Sequence, residues 1–598
     1  MKARAALALL LLTAGIAIAY QVRVARQAAA PASLTGFVPQ DALLTIESPD
    51  FASLLHRWNN SAESKAWLAS DNYSVFENSR LFGRLDDAQT AFAKAAGIPA
   101  GVDLLNQAAG KESVFAWYDI GRLEFLYITR MPAAQAERTQ LFQARSTFER
   151  RHAGNSDFYI RASGGEYGTV AFAQVPGASG DLVLMATRED LIANALKLIA
   201  ASSPADSIQQ EPWFRDVSAA LPMENPGPAL HMVLNLDRIA YDPHFRTYWI
   251  QRNITWTRQF RAAAADLYVE PARFREERVL LPKSTDAQPA GLNLAPLAAL
   301  APATTGVFRV VSTQDPSVAV TAIKEKLLGS FTAPQPDPDY APNPSLNTAQ
   351  AGSDSDLETR IDTLPPIAPS ASTAGLAQVF QSAGLDAVLT LSSALAPAEN
   401  DGLWVPIHSA VVLHTASPAN PQTLASALQQ TLRGTLTTAS MGIDFEPATV
   451  AGAQVYGVTG PRPLFFSISS TPAQGNLILL ADDQALLEEL LHKIAASSPE
   501  TATTPATLIA VFNHSSQRAP YLRLTSLIDG SNNQAHDSQK GATTEPNGAE
   551  EGATTPSFFS RNIGSLSGAF ANLQSERIVQ RAVYSNLRQT VTYIWQTP

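Results

Sequence analysis

The sequence predicts an α+β fold: two tandem, diverged copies of a mainly antiparallel β-sheet unit with helices packed on one face. Three observations lead there. One long stretch of the chain recurs, strand-like runs come in neighbouring pairs rather than alternating strictly with helices, and polar linkers fall where the two halves differ in length.

The recurrence is clearest where residues 180–204, GDLVLMATREDLIANALKLIAASSP, are set beside 475–499, GNLILLADDQALLEELLHKIAASSP. Nearly half the positions are identical without a gap. Each segment reads as a turn glycine, a buried strand and a helix, with Thr187 or Asp482 expected as the N-cap. Leu487, Leu490, Leu491 and Ile494 follow the spacing of one buried helix face. Weaker matches keep the same order: 42–48 (ALLTIES) with 306–311, 230–235 (LHMVLN) with 508–513 (LIAVFN), and 249–254 (WIQRNI) with 558–563 (FFSRNI). The spacing between matched residues widens across 332–373 and again across 529–555. Both stretches are low-complexity segments unable to bury a core. It narrows where the first half carries 205–227. The expected organisation is therefore a leader and tether over 1–33, a first copy over 34–283, and a second over 284–598 with disordered inserts at 332–373 and 529–555.

In the first copy the expected strands are 42–48, 113–120, 122–131, 158–162, 169–175, 182–186 and 229–235. Each is apolar or alternating and is bounded by Gly, Pro or Asp. Gly121 predicts a tight hairpin between the second and third. Helices are expected at 49–58, 74–96, 133–150, 188–201 and 244–256, the first opened by Ser48-Pro49. A hairpin of 260–269 and 273–281 closes the copy. The second copy repeats the plan at 306–311, 387–392, 408–415, 454–458, 464–470, 477–481 and 508–513, then 566–572, 577–584 and 589–595. Neighbouring strand runs favour antiparallel pairing.

At the N-terminus Lys2 and Arg4 precede an uncharged apolar run from residue 5 to about 18, and Ala17-Ile18-Ala19 offers an A-x-A cleavage site. This is the layout of a secretory signal peptide or, uncleaved, of a single short N-terminal anchor. Arg23 and Arg26 just beyond the run oppose retention with the N-terminus inside. The 28–33 segment reads as a tether.

Composition then excludes several functions. The chain holds no cysteine, so disulfides, thiolate catalysis and cysteine metal sites are absent. Its formal net charge is -11, and the acidic excess lies in 291–598. Such a balance disfavours a nucleic-acid binder, which needs a basic face. Gly164–Gly168 (GGEYG) lacks the spacing of a phosphate loop and reads as a turn. Gly564–Gly568 (GSLSG) has Leu566 where a hydrolase elbow needs Ser. The nine histidines form no H-E-x-x-H, and His408 and His414 share a strand face without further ligands in sequence. Asp354, Asp356 and Glu358 lack the central Gly and terminal Glu of a calcium loop. No catalytic residue, cofactor or metal ligand is expected.

One segment stands apart. Residues 241–261 interleave Tyr241, Phe245, Tyr248, Trp249, Trp256 and Phe260 with Arg246, Arg252, Arg258 and Arg261. On a helix, Phe245, Trp249 and Trp256 fall near one face. The candidate binding surface is thus Phe245, Arg246, Trp249, Arg252, Trp256, Arg258 and Arg261. Arginines there would meet anionic lipid or glycan while the rings stack. The plainer reading is a helix packing its aromatics on the sheet with solvated arginines. The second copy keeps Phe558, Phe559 and Arg561 only.

The early FVPQDALLTIESPDF, the GDLVLMA strand-helix unit and the closing SFFSRNIGSLSGAF together resemble a family of exported bacterial proteins known only as a domain of unknown function. That resemblance implies export and no established catalytic residue. The expectation is an exported cell-envelope protein, periplasmic or anchored by one helix. Its role would be non-enzymatic binding or assembly, with the membrane surface, cell-wall glycan or an envelope protein as partner. The competing classes are an envelope hydrolase with a dispersed carboxylate or serine site and a carrier of an apolar ligand.

Overall fold

The computed structural model describes residues 33–328, 373–394, 407–518 and 572–595, apart from 71–72, 74–76, 78–79, 100, 120–121, 123, 163–167, 202–204, 223, 225, 243–256, 271–272, 285–290, 436–443, 460–462 and 498–503. The expected leader, both expected inserts except Thr373, and the 244–256 helix lie outside the described residues, as do the 558–563 and 564–568 motifs. The chain forms two compact units. One takes Met1–His56, Leu85–Asp216 and Met232–Asn235; the other takes Arg57–Arg84, Val217–His231 and Leu236–Pro598.

The first unit is built on β1 (Leu44–Ser48), β2 (Ser113–Asp119), β3 (Glu124–Met131), β4 (Glu149–Ala153), β5 (Ser156–Ala162), β6 (Thr169–Val175), β7 (Asp181–Ala186) and the end of β8 (Leu230–Leu234), whose first two residues, Leu230 and His231, belong to the second unit. Their spatial order is β4-β5-β6-β7-β3-β2-β1-β8. The β2–β3 pairing closes at Asp119 and Glu124, so these strands form the expected hairpin, although Gly121 itself is not described. Near-continuous apolar runs in β6 and β7 explain their central place: residues 170–173 and 182–186 are buried. One face sets Tyr127, Met131, Val170, Phe172, Val183 and Met185 against Ala95, Ala96, Leu141 and Phe142. The alternate residues Leu182, Leu184 and Ala186 point the other way. The Glu189–Ala200 helix packs on β4 through β7 and buries Leu191, Ile192, Ala195 and Leu196.

The second unit holds β9 (Phe260–Glu270), β10 (Arg273–Pro282), β11 (Val307–Ser312), β12 (Leu385–Ala394), β13 (Ile407–Thr415), β14 (Glu446–Val450), β15 (Ala453–Val458), β16 (Leu464–Thr471), β17 (Gly475–Ala481), β18 (Leu508–Asn513), β19 (Leu573–Val583) and β20 (Asn586–Trp595). Every pair in it is antiparallel, in the order β14-β15-β16-β17-β13-β12-β11-β18-β19-β20-β10-β9. The run from β14 to β18 follows the same sequence of places as β4 to β8.

Helices cover both faces of this sheet, which corrects the expectation of one covered face. On one face Leu389, Leu391, Val412, Leu477 and Leu479 meet Leu487, Leu490, Leu491 and Ile494 of the Gln484–Ala496 helix. On the other, Val388, Val411, Leu413, Ile478 and Leu480 meet the Pro316–Lys326, Ala374–Ala383 and Pro421–Thr435 helices through Ile323, Phe380 and Leu428. The cause is legible in β13: residues 410–413 are fully buried, so both faces of the strand are apolar and both need cover.

Three local expectations are also corrected. The stretch read as a 133–150 helix breaks into Ala133–Arg138, Gln140–Gln143 and a 3₁₀ turn at Arg145–Thr147, after which Glu149 starts β4. Thr139 ends the first piece and caps the second, its hydroxyl accepting from the Phe142 amide, so a side chain outcompetes helix continuation. Neither expected N-cap acts as one. Asp483, not Asp482, accepts from the Leu486 amide, and Arg188 occupies the other cap without a side-chain bond. Thr187 and Asp482 instead accept the backbone amides of Phe125 (2.9 Å) and Ser409 (2.8 Å). Gly180 (φ 114°) and Gly475 (φ 71°) do occupy backbone conformations that side chains resist, as turn glycines should.

Candidate functional site

A cluster of ionisable side chains lies where the β9–β10 hairpin meets the β19–β20 hairpin. β10 reads RFREERVLLP, so alternation puts Arg273, Arg275 and Glu277 on one face and Phe274, Glu276 and Arg278 on the other. Register sets Glu277 opposite Asp266 of β9 and Thr590 of β20.

Arg275 is the hub of the first face. Its guanidinium binds Glu224 (2.6 Å), Glu270 (3.2 Å) and Glu277 (2.8 Å), and lies 4.2 Å over the ring of Tyr268, its cross-strand partner. Its side chain is 16% exposed, and the surrounding carboxylates, Glu224 foremost, hold it more firmly protonated than usual. Arg273 and Arg275 in turn hold Glu270 below the ordinary carboxylate range. Burial, then the neighbouring Asp266, pushes the Tyr268 hydroxyl up to about 12. Its oxygen is buried without a hydrogen-bond partner among the described residues. Asp266, 5% exposed, takes the imidazole of His231 at 2.6 Å, and the Thr590 hydroxyl donates to Glu277 at 2.9 Å.

On the opposite face Glu276 pairs with Arg278, and burial raises the carboxyl of Glu576 and the hydroxyl of Tyr593. The Gln589 amide donates to Gln580, which donates to Thr507.

Of the expected binding surface, Phe245, Arg246, Trp249, Arg252 and Trp256 lie outside the described residues. Arg258 sits just before β9, its guanidinium 4.8 Å over the ring of Tyr241, and Lys283 stands 5.7 Å from the same ring while pairing with Asp237 at 2.7 Å. Tyr241 is 55% exposed. Arg261 is the second residue of β9 and is half-buried. The two arginines thus flank the start of one strand, with an exposed ring beside the first.

His408 and His414 bracket Ala410 and Val412 on one strand face, and each meets its own carboxylate: Asp482 at 3.5 Å and Asp386 at 2.5 Å. Burial raises the carboxyl of Asp482. Among the described residues no serine hydroxyl bonds either imidazole, and no group of three His, Asp or Glu is placed to hold a metal. A cleft of about 580 Å³ lies between the Ala374–Ala383 and Pro421–Thr435 helices, with Gln378, Ser382, Asn420, Thr423, Ser426 and Gln430 in its wall. No titratable group lines it. The Arg275 network is not among the residues expected from sequence, although RFREER on one strand of a predicted hairpin signals a charged ladder.

No protein-family model matches the chain, and no curated protein matches it. Two solved structures do: crystal forms I and III of TP0453, at 11% and 12% identity, each with a TM-score of 0.23. They cover 43% and 42% of this chain and 81% and 80% of those chains. A likeness of that size carries nothing about function.

Proposed function

We propose that this protein is an exported cell-envelope module for binding or assembly, non-enzymatic, and built from two diverged copies of one α+β unit. The observation that carries the non-enzymatic reading is the state of its converging carboxylates. Asp266 is hydrogen-bonded to His231, and Glu277 to Arg275 and Thr590, so both carboxylates are engaged within the protein. The chain's resemblance to an exported family and its leader-like N-terminus support the location.

Duplication is supported by three parallels. The strands β4 to β8 and β14 to β18 run in the same order. Thr187 and Asp482, matched in sequence, both pin a neighbouring strand amide. At the centre of the β10–β20 pairing, Glu277 and Thr590 face each other, and each is the fifth residue of its strand. Two copies of one hairpin related by a local two-fold axis would meet in this way.

The reading is tested by fractionating cells that produce the full chain with a C-terminal tag. The pure protein is then pelleted with purified cell wall and with anionic liposomes. Recovery in the envelope fraction and co-pelleting with one of the two surfaces is expected. Replacing Arg246, Arg258 and Arg261 with Gln should abolish the pelleting. Cytosolic recovery would remove the location, and unchanged pelleting of the variant would remove the surface.

A further inference from the structure

Arg275 has a counterpart. It is the third residue of β10, and the third residue of β20 is Arg588. Tyr268, third from the end of β9, corresponds in the same way to Arg581 in β19. Register confirms the correspondence, since Arg275 pairs with Tyr268 and Arg588 pairs with Arg581. The surroundings differ in sign. Glu270, the last residue of β9, is matched by Val583, and Glu277 is matched by Thr590. The stretch 501–507 before β18 carries no carboxylate to match Glu224 before β8. Arg588 therefore stands directly across the ladder from a second arginine.

Both residues are half-buried. Arg588 donates one bond, from Nη2 to the Ala220 carbonyl at 2.7 Å. The Nε of each is buried and has no hydrogen-bond partner among the described residues. Like charges directly opposed on neighbouring strands destabilise a sheet, and a buried N–H without an acceptor adds to that cost. An oxyanion between the two guanidiniums removes both penalties at once.

We infer that Arg581 and Arg588 form a binding site for a phosphate-type oxyanion, held across the β19–β20 ladder. Two guanidiniums supply two positive charges and forked N–H donors, and a phosphate group supplies acceptor oxygens with one negative charge as a diester headgroup or between one and two as inorganic phosphate. The phosphate is free in solution or part of a lipid headgroup; the chemistry at the arginines is shared. Exposed Arg577, on the same strand face four residues before Arg581, adds positive potential at the site's outer edge. The inference rests on the register of the two hairpins and is independent of where the protein resides.

The test uses the full chain in phosphate-free buffer. Calorimetric titration with inorganic phosphate, against sodium chloride at matched ionic strength, should show saturable binding and a Tm that rises with phosphate concentration. Arg581→Gln should weaken binding about tenfold or more. It should also leave the phosphate-free Tm unchanged or higher, because it removes the like-charge pair. A merely structural arginine would lower that Tm. Arg588→Gln should lose binding too; if loss of its Ala220 bond prevents folding, Arg581→Gln alone decides. Vesicles with and without phosphatidylglycerol form the second arm. Arg581-dependent capture by the anionic vesicles alone, with no response to inorganic phosphate, assigns the site to a headgroup. No response to either source, or a response that Arg581→Gln leaves intact, overturns the inference.

Discussion

Arg275 and Arg588 occupy matched places in two hairpins that pair with each other, yet among the described residues one is ringed by carboxylates and the other is not. Arg275 is surrounded by three carboxylates and an aromatic face, whereas Arg588 has one carbonyl and a facing arginine. A β-ladder fixes where a side chain stands and leaves its partners to the residues at neighbouring rungs. Identical backbone positions can therefore hold a structural ion network in one hairpin and an open pair of cations in the other. The two hairpins differ in charge at three matched positions, Tyr268 against Arg581, Glu270 against Val583 and Glu277 against Thr590.

That contrast can be broken most severely at Arg275. Arg275→Met leaves Glu224 and Glu277 without their cation and Glu270 with Arg273 alone, and should destabilise the full chain by about 3 kcal/mol in urea unfolding. Arg588→Met, in the equivalent place, should cost less than about 1 kcal/mol. Equal losses would mean that the two arginines carry equal weight and that the contrast is only apparent. Thr590→Val removes the hydroxyl that donates to Glu277 at the centre of the pairing, with an expected loss of about 1 kcal/mol.

The contrast can also be erased by making the second hairpin resemble the first. Arg581→Tyr gives Arg588 an aromatic face in place of a like charge, and a gain of about 0.5–1 kcal/mol in phosphate-free buffer is expected. A loss instead would show that the Arg581 site cannot seat a ring. The smallest effect is one of pH. Glu270 titrates below its ordinary value because Arg273 and Arg275 favour its charged form. Its stabilisation is therefore present above the unfolded carboxylate range and is lost as pH falls through the lowered folded value. Glu270→Gln should flatten the decline in urea midpoint between about pH 5 and about pH 3. Val583→Glu should steepen that decline by placing a carboxylate beside Arg588. An unaltered slope in both variants would remove these carboxylates from the acid response.

Much of the fold was legible before any coordinates. Strand β6 was bounded correctly at both ends, as was β18, because each is an apolar run closed by polar or turn residues. The Gln484–Ala496 helix buries the four leucine and isoleucine positions that its spacing named. The errors have physical causes. Pattern alone could not see that Thr139 would cap a new helix in the middle of a helical run, or that Glu149-Arg150-Arg151 would pair as an exposed edge strand. Nor could it tell that the fully buried residues of β13 demand helices on both faces, since a buried strand reads alike whatever covers it.

By itself the sequence determined most of the strands and their order, the absence of cysteine chemistry and the recurrence of one strand-helix stretch, because these depend on residues close together along the chain. Only the tertiary structure decided which charges meet. Glu224 reaches Arg275 across 51 residues and Thr590 reaches Glu277 across 313, distances at which no local pattern carries information. The pairing of β9 with β10 sets Arg275 against Tyr268 and Glu270, and the equivalent pairing of β19 with β20 leaves Arg588 facing Arg581.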